Sequence, residues 1–270
     1  MTIETLNKND VSSLNELEPA GWGSILPAHE FYTSNTDFCF SIRINNDTKI
    51  VGIGTAVIHN DVAWLAHIIV HAENRNQGIG RLITQSLVNN SQAKNCDTIY
   101  LIATDLGAPV YTKAGFETET EYLFFKDIKA EESWKISNCI VPFHPDHKAT
   151  IAEIDKLITG EDRLFHLEKH FQDGFVYHSN DGIEGFYLPT FGEGLILAKT
   201  KDSGIELMKM RFTNHDNASF PIDNIDAVDF LYKCGYKEFK TAKRMRLGKQ
   251  RDWTPSNIYN RIGGLSLIHI

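Results

Sequence analysis

The sequence predicts an α/β (α+β) protein with two tandem domains, each a mixed, mostly antiparallel sheet flanked by helices. Short strand-like runs separated by turns open the chain, and an alternation of helix and strand follows them. A weaker copy of the same motifs recurs in the second half. The chain has 270 residues, of which 42% are hydrophobic, so it is long enough to bury two ordinary cores.

Periodicity and turn residues place the elements of the first half. A strand is predicted over residues 2–6 and a capped amphipathic helix over residues 9–18. The later elements are, in order, a hairpin over 38–44 and 49–58, a strand over 64–70, a helix over 78–93, a strand over 98–103, a glycine-ended helix over 108–116 and a strand over 119–126. This order favours a sheet covered by helices.

A charged stretch without periodicity, residues 127–137, predicts the boundary between a domain over 1–130 and a domain over 137–270. Residues 107–116 align with residues 227–236, and residues 78–82 align with residues 204–208. Chance similarity between two α/β segments is the alternative. The shared order and nearly equal spacing favour a tandem repeat.

Charge and cysteine content limit the function classes. The net charge of −8 argues against nucleic acid as a partner and favours neutral or cationic substrates. The four cysteines are scattered, without a metal-ligand spacing, so we expect reduced thiols and no metal. No signal peptide and no apolar run of about 18 residues is visible, so we expect a soluble cytoplasmic protein that does not enter a membrane.

The segment from Val70 to Leu82 carries the most specific chemical signal. It joins a predicted strand to a predicted helix through Arg75-Asn76-Gln77-Gly78-Ile79-Gly80, an R-x-x-G-x-G pattern. Glycines allow close backbone approach, and a helix start offers unpaired N–H groups to an anion. A dinucleotide site of an oxidoreductase is the alternative, but that pattern follows the first strand of a βαβ unit, whereas this one follows hairpins.

Together with the Tyr-x-x-x-Gly-Phe segment beginning at Tyr111, this pattern resembles the GNAT superfamily of acetyl-CoA-dependent N-acetyltransferases, over roughly residues 2–127. The resemblance implies a splayed strand whose residues meet the pantetheine arm, namely Ile68, Ile69 and Val70. It also implies a turn whose backbone wraps the pyrophosphate, formed by Arg75, Asn76, Gln77, Gly78, Ile79, Gly80 and Arg81. Tyr111 matches the tyrosine that often protonates the departing thiolate.

Acetyl transfer needs an oriented carbonyl, a deprotonated amine and a proton source for the sulfur. Tyr111 is the candidate proton donor, with a packing tyrosine as the alternative, and a surface salt bridge is the alternative for Arg75. His67 is the candidate general base, although a histidine in an apolar strand is more often a satisfied core residue. Glu73 is expected to be solvated, and Thr104 stands where the family often has an asparagine.

The second half departs from the family at its counterpart turn. Asp202 and Glu206 lie where phosphate would bind, and Leu231 replaces the tyrosine, although Asn224 keeps the asparagine. It resembles degenerate C-terminal acetyltransferase-like domains, as do residues 155–163 and 243–248, for which ordinary caps and a strand edge are the alternative. Such a domain is expected to form a wall of the acceptor pocket.

The predicted function is acetyl-CoA-dependent N-acyl transfer to an amine of a small molecule or amino acid, with one acetyl-CoA per chain. The alternative is a non-catalytic sensor of CoA or another metabolite. The sequence leaves the acceptor and the oligomeric state open.

Overall fold

The computed structural model describes residues 1–19 and 23–261. It confirms the predicted class: mixed α/β, with mostly antiparallel sheets flanked by helices. The described residues divide into two compact units. The first unit holds Met1–Glu119 and Lys243–Gln250, and the second holds Thr120–Ala242 and residues 251–261.

The first half of the chain contains six strands and three α-helices among the described residues. They are β1 (Thr2–Thr5), α1 (Leu26–Ser34), β2 (Cys39–Asn46), β3 (Lys49–His59), β4 (Val62–Val70), α2 (Ile79–Ala93), β5 (Thr98–Ala103), α3 (Ala108–Lys113) and β6 (Glu117–Phe125). The predicted helix over 9–18 is a 3₁₀ segment, Lys8–Leu17, capped by the side chain of Asn7. The sequence reasoning missed α1, which has a proline in its first turn and little amphipathic contrast.

The second half contains seven strands and four α-helices within the described range. They are β7 (Ile140–Pro142), α4 (Lys148–Thr159), α5 (Leu164–Leu167), β8 (Phe175–Ser179), β9 (Gly182–Leu188), β10 (Leu195–Ala198), α6 (Lys201–Arg211), β11 (Ala218–Pro221), α7 (Ile225–Lys233), β12 (Lys240–Gly248) and β13 (Ile258–Asn260). Among the described helices, none combines the length and the apolar character that crossing a bilayer requires.

The sheet of the first unit has the order β1-β2-β3-β4-β5-β12. All its neighbours are antiparallel except β4 and β5, which are parallel. The sequence analysis assigned residues 243–248 to the second domain, whereas the structure pairs them with β5, from Lys243 opposite Ala103 to Gly248 opposite Thr98. Local periodicity identifies a strand, but it carries no information about which strand will be its partner.

Helix α2 packs closely on the first unit's sheet because β3 carries glycines beneath it. A Cβ on Gly54 would lie 2.5 Å from Cγ2 of Ile83, and one on Gly52 would lie 3.0 Å from Cγ2 of Ile79. Ile79, Ile83 and Leu87 are buried in this contact. The close packing fixes the start of α2 beside the end of β4, where the predicted anion-binding turn lies.

The second unit contains the five-stranded sheet β13-β10-β9-β8-β7 and the antiparallel pair β6–β11. Its helix α7 ends as α3 does in the first unit. Gly115 and Gly235 have φ angles of 93° and 85°, and the next residue's N–H donates to the helix at 3.0 Å in both cases. The aligned segments 107–116 and 227–236 therefore share one helix-terminating geometry.

Candidate active site

Strands β4 and β5 part from each other within the first unit. They pair only from Val62 opposite Thr98 to Trp64 opposite Tyr100, whereas β4 continues to Val70 and β5 to Ala103. We call the opening the β4–β5 gap. Backbone groups of β4 that point into the gap lack a strand partner, so they can bind an extended ligand. This is the parted strand that the family resemblance implied.

A bulge in β4 decides which backbone groups point into the gap. The register moves from Ile53 opposite Ile69 to Thr55 opposite Ala66, so two residues of β4, His67 and Ile68, oppose one residue of β3. The N–H of His71 donates to the carbonyl of Val51 at 2.9 Å.

Because antiparallel pairing alternates, His71 and Ile69 direct their backbone groups toward β3, and Ile68 and Val70 direct theirs away from it, into the gap. The Val70 carbonyl accepts from Nε of Arg75 at 3.3 Å, in agreement with this orientation. Three residues are predicted to meet pantetheine. Of these, Ile68 and Val70 direct their N–H groups into the gap, and Ile69 directs its backbone groups toward β3.

The turn between β4 and α2 leaves backbone amides without protein partners. Asn76 and Gly78 adopt left-handed φ angles of 61° and 82°. The first bonded amide of α2 is that of Leu82, which donates to the carbonyl of Gly78 at 3.0 Å. In the described parts of the chain, no acceptor engages the N–H groups of residues 79–81, and the first turn of α2 contains no acidic residue. Unbonded amides at a helix start are available to an anionic ligand.

Two arginines add positive charge to this turn. Arg75 and Arg81 are both exposed, as are the side chains of Asn76 and Gln77. No Cβ contact would arise at Gly78, so its glycine is explained by its φ angle and not by crowding.

Tyr111 lies on α3 and is buried, with 4% of its surface exposed. Its ring meets Phe116 edge to face, and a Cβ on Gly107 would lie 2.9 Å from its Cε2. Across the described residues, no hydrogen bond engages its hydroxyl. Burial raises the pKa of Tyr111 well above its ordinary value, so the hydroxyl keeps its proton at neutral pH. It is therefore a proton-bearing group without a protein acceptor.

Thr104 has a local structural role. Its Oγ1 accepts from the N–H of Gly107 at 3.2 Å, and its carbonyl accepts from the N–H of Ala108 at 2.8 Å. The threonine that departs from the family pattern thus caps the turn leading into α3.

His67 is buried at the bulge, with 2% of its surface exposed and a φ angle of 48°. Its Nδ1 lies 2.9 Å from the Tyr32 hydroxyl, and its ring meets those of Tyr32 and His29 edge to face. The sequence reasoning missed Tyr32 and His29 because they lie on the unpredicted helix α1. The role of His67 as a general base stays a prediction.

The side chain of Arg244 on β12 contacts the residues where the pairing of β4 with β5 ends. The guanidinium of Arg244 lies over the rings of Tyr100 and Trp64, at 4.2 and 5.0 Å, and its Nε donates to Glu119 at 3.0 Å. Tyr100 and Trp64 are the last paired residues of β5 and β4. The segment 243–248 therefore completes the first unit where its strands begin to part.

The corresponding helix start in the second unit is capped by its own side chains. Oγ1 of Thr200 accepts from the N–H of Ser203 at 3.4 Å and donates to Glu184 at 2.6 Å. The ring of Tyr259 occupies the space that a Cβ on Gly204 would need. Asp202 lies exposed in the first turn of α6. At this helix start the N–H of Ser203 is already bonded to a side chain, whereas the start of α2 has no side-chain cap.

Other residues that the sequence analysis named in the second half stabilise its helices and core. Arg163 and Asp155 form a buried two-point ion pair, with distances of 2.7 and 2.9 Å. Gly160 ends α4 with a φ angle of 71°, close to the carbonyl of Asp252. Asn224 caps α7 by accepting from Ala227, and Leu231 is fully buried in the core.

Within the described residues, no group of three or more histidine, cysteine or acidic side chains is arranged to hold a metal ion. The groups predicted to act here are backbone donors, two arginines, Tyr111 and His67.

Comparison with known proteins identifies the fold around this site. The chain is similar to a candidate acetyltransferase from Pyrococcus horikoshii, with 20% identity, a TM-score of 0.82 and coverage of 98% of this chain and 95% of that one. It is also similar to a tandem GNAT protein from the clavulanic acid biosynthesis pathway, with 10% identity, a TM-score of 0.60 and coverage of 93% and 99%. A GCN5-related N-acetyltransferase from Anabaena variabilis shows 14% identity and a TM-score of 0.56, with coverage of 91% and 72%.

No curated protein sequence matches the chain significantly. A family model does match it: residues 36–118 fit the acetyltransferase (GNAT) domain. That range runs from the start of the β2–β3 hairpin through the β4–β5 gap and the turn before α2 to Tyr111 and the start of β6. The chain therefore carries a GNAT acetyltransferase domain.

Proposed function

We propose that this protein is an acetyl-CoA-dependent N-acetyltransferase that acetylates an amine of a small molecule or amino acid. One observation carries the proposal: the free N–H groups in the β4–β5 gap and the uncapped amides before α2 lie at the same end of β4. An extended donor with an anionic end fits such a row of donors, and the two exposed arginines, Arg75 and Arg81, suit the pyrophosphate of CoA.

Acetyl-CoA supplies the acetyl group as a thioester. The turn over residues 75–81 would hold its pyrophosphate, and the N–H groups of Ile68 and Val70 would bind carbonyl groups in the gap and polarise them. Tyr111 holds a proton at its hydroxyl, where it would meet the departing sulfur. The raised pKa of Tyr111 keeps that proton in place at neutral pH.

The acceptor class rests on charge. The net charge of −8 disfavours polyanionic partners and suits an amine. We propose a small free amine in the cytoplasm, with no nucleic acid or membrane as partner. A CoA sensor without catalysis is the second candidate, because the imidazoles of His29 and His67 are buried.

The test measures release of free thiol from acetyl-CoA against a panel of small amines, amino acids and aminoglycosides. We expect at least one amine to raise thiol release above the rate of hydrolysis, with an acetylated product of the matching mass. Binding of acetyl-CoA without release for any amine would support the sensor. Absence of binding at millimolar acetyl-CoA would contradict both functions.

We further propose that the second unit is a degenerate GNAT-like domain that binds no acetyl-CoA and shapes the acceptor site. Its helix start is capped by Thr200 and carries Asp202, so a pyrophosphate would meet a carboxylate and an amide that is already bonded. We expect calorimetric titration to give one acetyl-CoA per chain. A stoichiometry of two would contradict this part of the proposal and leave the activity of the first unit standing.

A further inference from the structure

We propose that Tyr32 is a positioning residue: through its hydrogen bond to His67, it fixes the β4 bulge that directs the N–H groups of Ile68 and Val70 into the gap. The inference rests on the proposed function, because those N–H groups matter only if they bind the acyl donor. It assigns Tyr32, a residue outside the matched motifs, to the same site.

The bulge determines which face of the sheet each residue at the end of β4 points to. Side chains of a strand alternate between faces, so one extra residue exchanges the faces of everything beyond it. Before the bulge, Leu65 packs in the cluster under α2, and Ala66 packs with Tyr32. After it, Ile68 joins the α2 cluster and Ile69 joins the opposite cluster. Both Ala66 and His67 therefore face α1, and the backbone groups of Ile68 and Val70 face the gap.

The bulge needs an anchor because its backbone is unusual. A left-handed φ angle is uncommon for a residue other than glycine, and it persists only where the surroundings hold it. At His67 the surroundings are the Tyr32 hydroxyl, 2.9 Å from Nδ1, and two rings packed edge to face. Tyr32 is fully buried, so this hydrogen bond forms where water does not compete.

Helix α1 holds Tyr32 in place. Nδ1 of His29 lies 2.9 Å from the carbonyl of Ile25, which can only accept, so this nitrogen carries the proton. Burial lowers the pKa of His29, which keeps its ring neutral, and burial raises the pKa of Tyr32, which keeps its hydroxyl protonated. Cys39 on β2 also packs against Tyr32. His29 and Tyr32 are therefore both uncharged in this contact.

The first experiment compares Tyr32→Phe with Ser41→Ala. Both remove a buried hydroxyl of the first unit, but the Ser41 hydroxyl bonds Thr55 on β3 instead of His67. We expect Tyr32→Phe to lower kcat by about tenfold or more while the Kd of acetyl-CoA changes less than about twofold, since misplaced donors cost rate. Ser41→Ala should keep kcat. Equal kcat in Tyr32→Phe and the unaltered protein would overturn the proposal.

The second experiment separates positioning from base catalysis at His67. Asparagine tolerates left-handed φ angles and alanine does not, so His67→Asn should retain clearly more activity than His67→Ala. If His67→Asn and His67→Ala lose activity equally, and both also lose the acidic limb of the pH profile, His67 acts as a base. That result would overturn the proposal that His67 anchors the bulge.

Hydrogen exchange gives a measure that does not depend on activity. If Tyr32 anchors the bulge, Tyr32→Phe should speed amide exchange over residues 66–71 more than Ser41→Ala does. Equal exchange in the two variants would contradict the anchor even if the protein acetylates no amine. Failure of the unaltered protein to bind acetyl-CoA contradicts the proposed function instead.

Discussion

Gly78→Glu should abolish the rise in melting temperature that acetyl-CoA gives the unaltered protein. A ligand at 100 times its Kd stabilises a protein by about 2.7 kcal/mol, which corresponds to a shift of about 5 to 11 °C. Gly78 has a φ angle of 82°, which costs other residues roughly 1–2 kcal/mol. The new carboxylate would also lie beside the amides that receive the pyrophosphate. Thermal melts with and without millimolar acetyl-CoA measure the effect.

The chain offers a matched control for this variant. Gly235 in the second unit has a φ angle of 85°, and, like Gly78, has no atom within 4 Å of the position of a Cβ. Gly235→Glu should therefore lower stability by a similar amount and keep the acetyl-CoA shift. Asparagine tolerates a left-handed φ angle and carries no charge. Gly78→Asn should therefore keep part of the acetyl-CoA shift in melting temperature. A full shift in Gly78→Glu would remove this turn from the binding site.

Tyr111→Phe should lower kcat by about a hundredfold or more, the usual contribution of a positioned general acid. It should leave the melting temperature nearly unchanged, because within the described residues no hydrogen bond engages the hydroxyl. Binding of acetyl-CoA should persist, since the turn before α2 is intact. Steady-state kinetics of thiol release, with titration calorimetry on the same variant, measure the two effects separately.

The pH dependence gives a second check on Tyr111. Its pKa is raised by burial, so its acid form persists above the ordinary tyrosine range. No alkaline loss of kcat should therefore arise from Tyr111 below about pH 10. Tyr187→Phe, a buried tyrosine of the second unit, serves as the control and should keep kcat. Unchanged turnover in Tyr111→Phe would exclude the tyrosine as proton donor.

The local parts of the fold were predictable from the sequence. Residues 98–103 form β5 as predicted, and α2 and β4 end at the predicted residues 93 and 70. These segments have strong periodicity and clear turn residues at their ends. The turn before α2 was predictable because glycine spacing and a helix start are local features. Its free amides are a property of the backbone, which the sequence pattern specifies directly.

The tertiary structure alone decided which distant segments complete the first unit and which side chains support the site. Pairing of residues 243–248 with β5 depends on the packing of the whole sheet, which periodicity does not encode. The contact of Tyr32 with His67 joins α1 to a bulge, and neither feature has a strong local signal. The sequence by itself determined the glycine turn and the helix start that follows it. The structure decided where the adjacent strand parts from β5 and which two of its amides face the opening, because both depend on register between strands far apart in the chain.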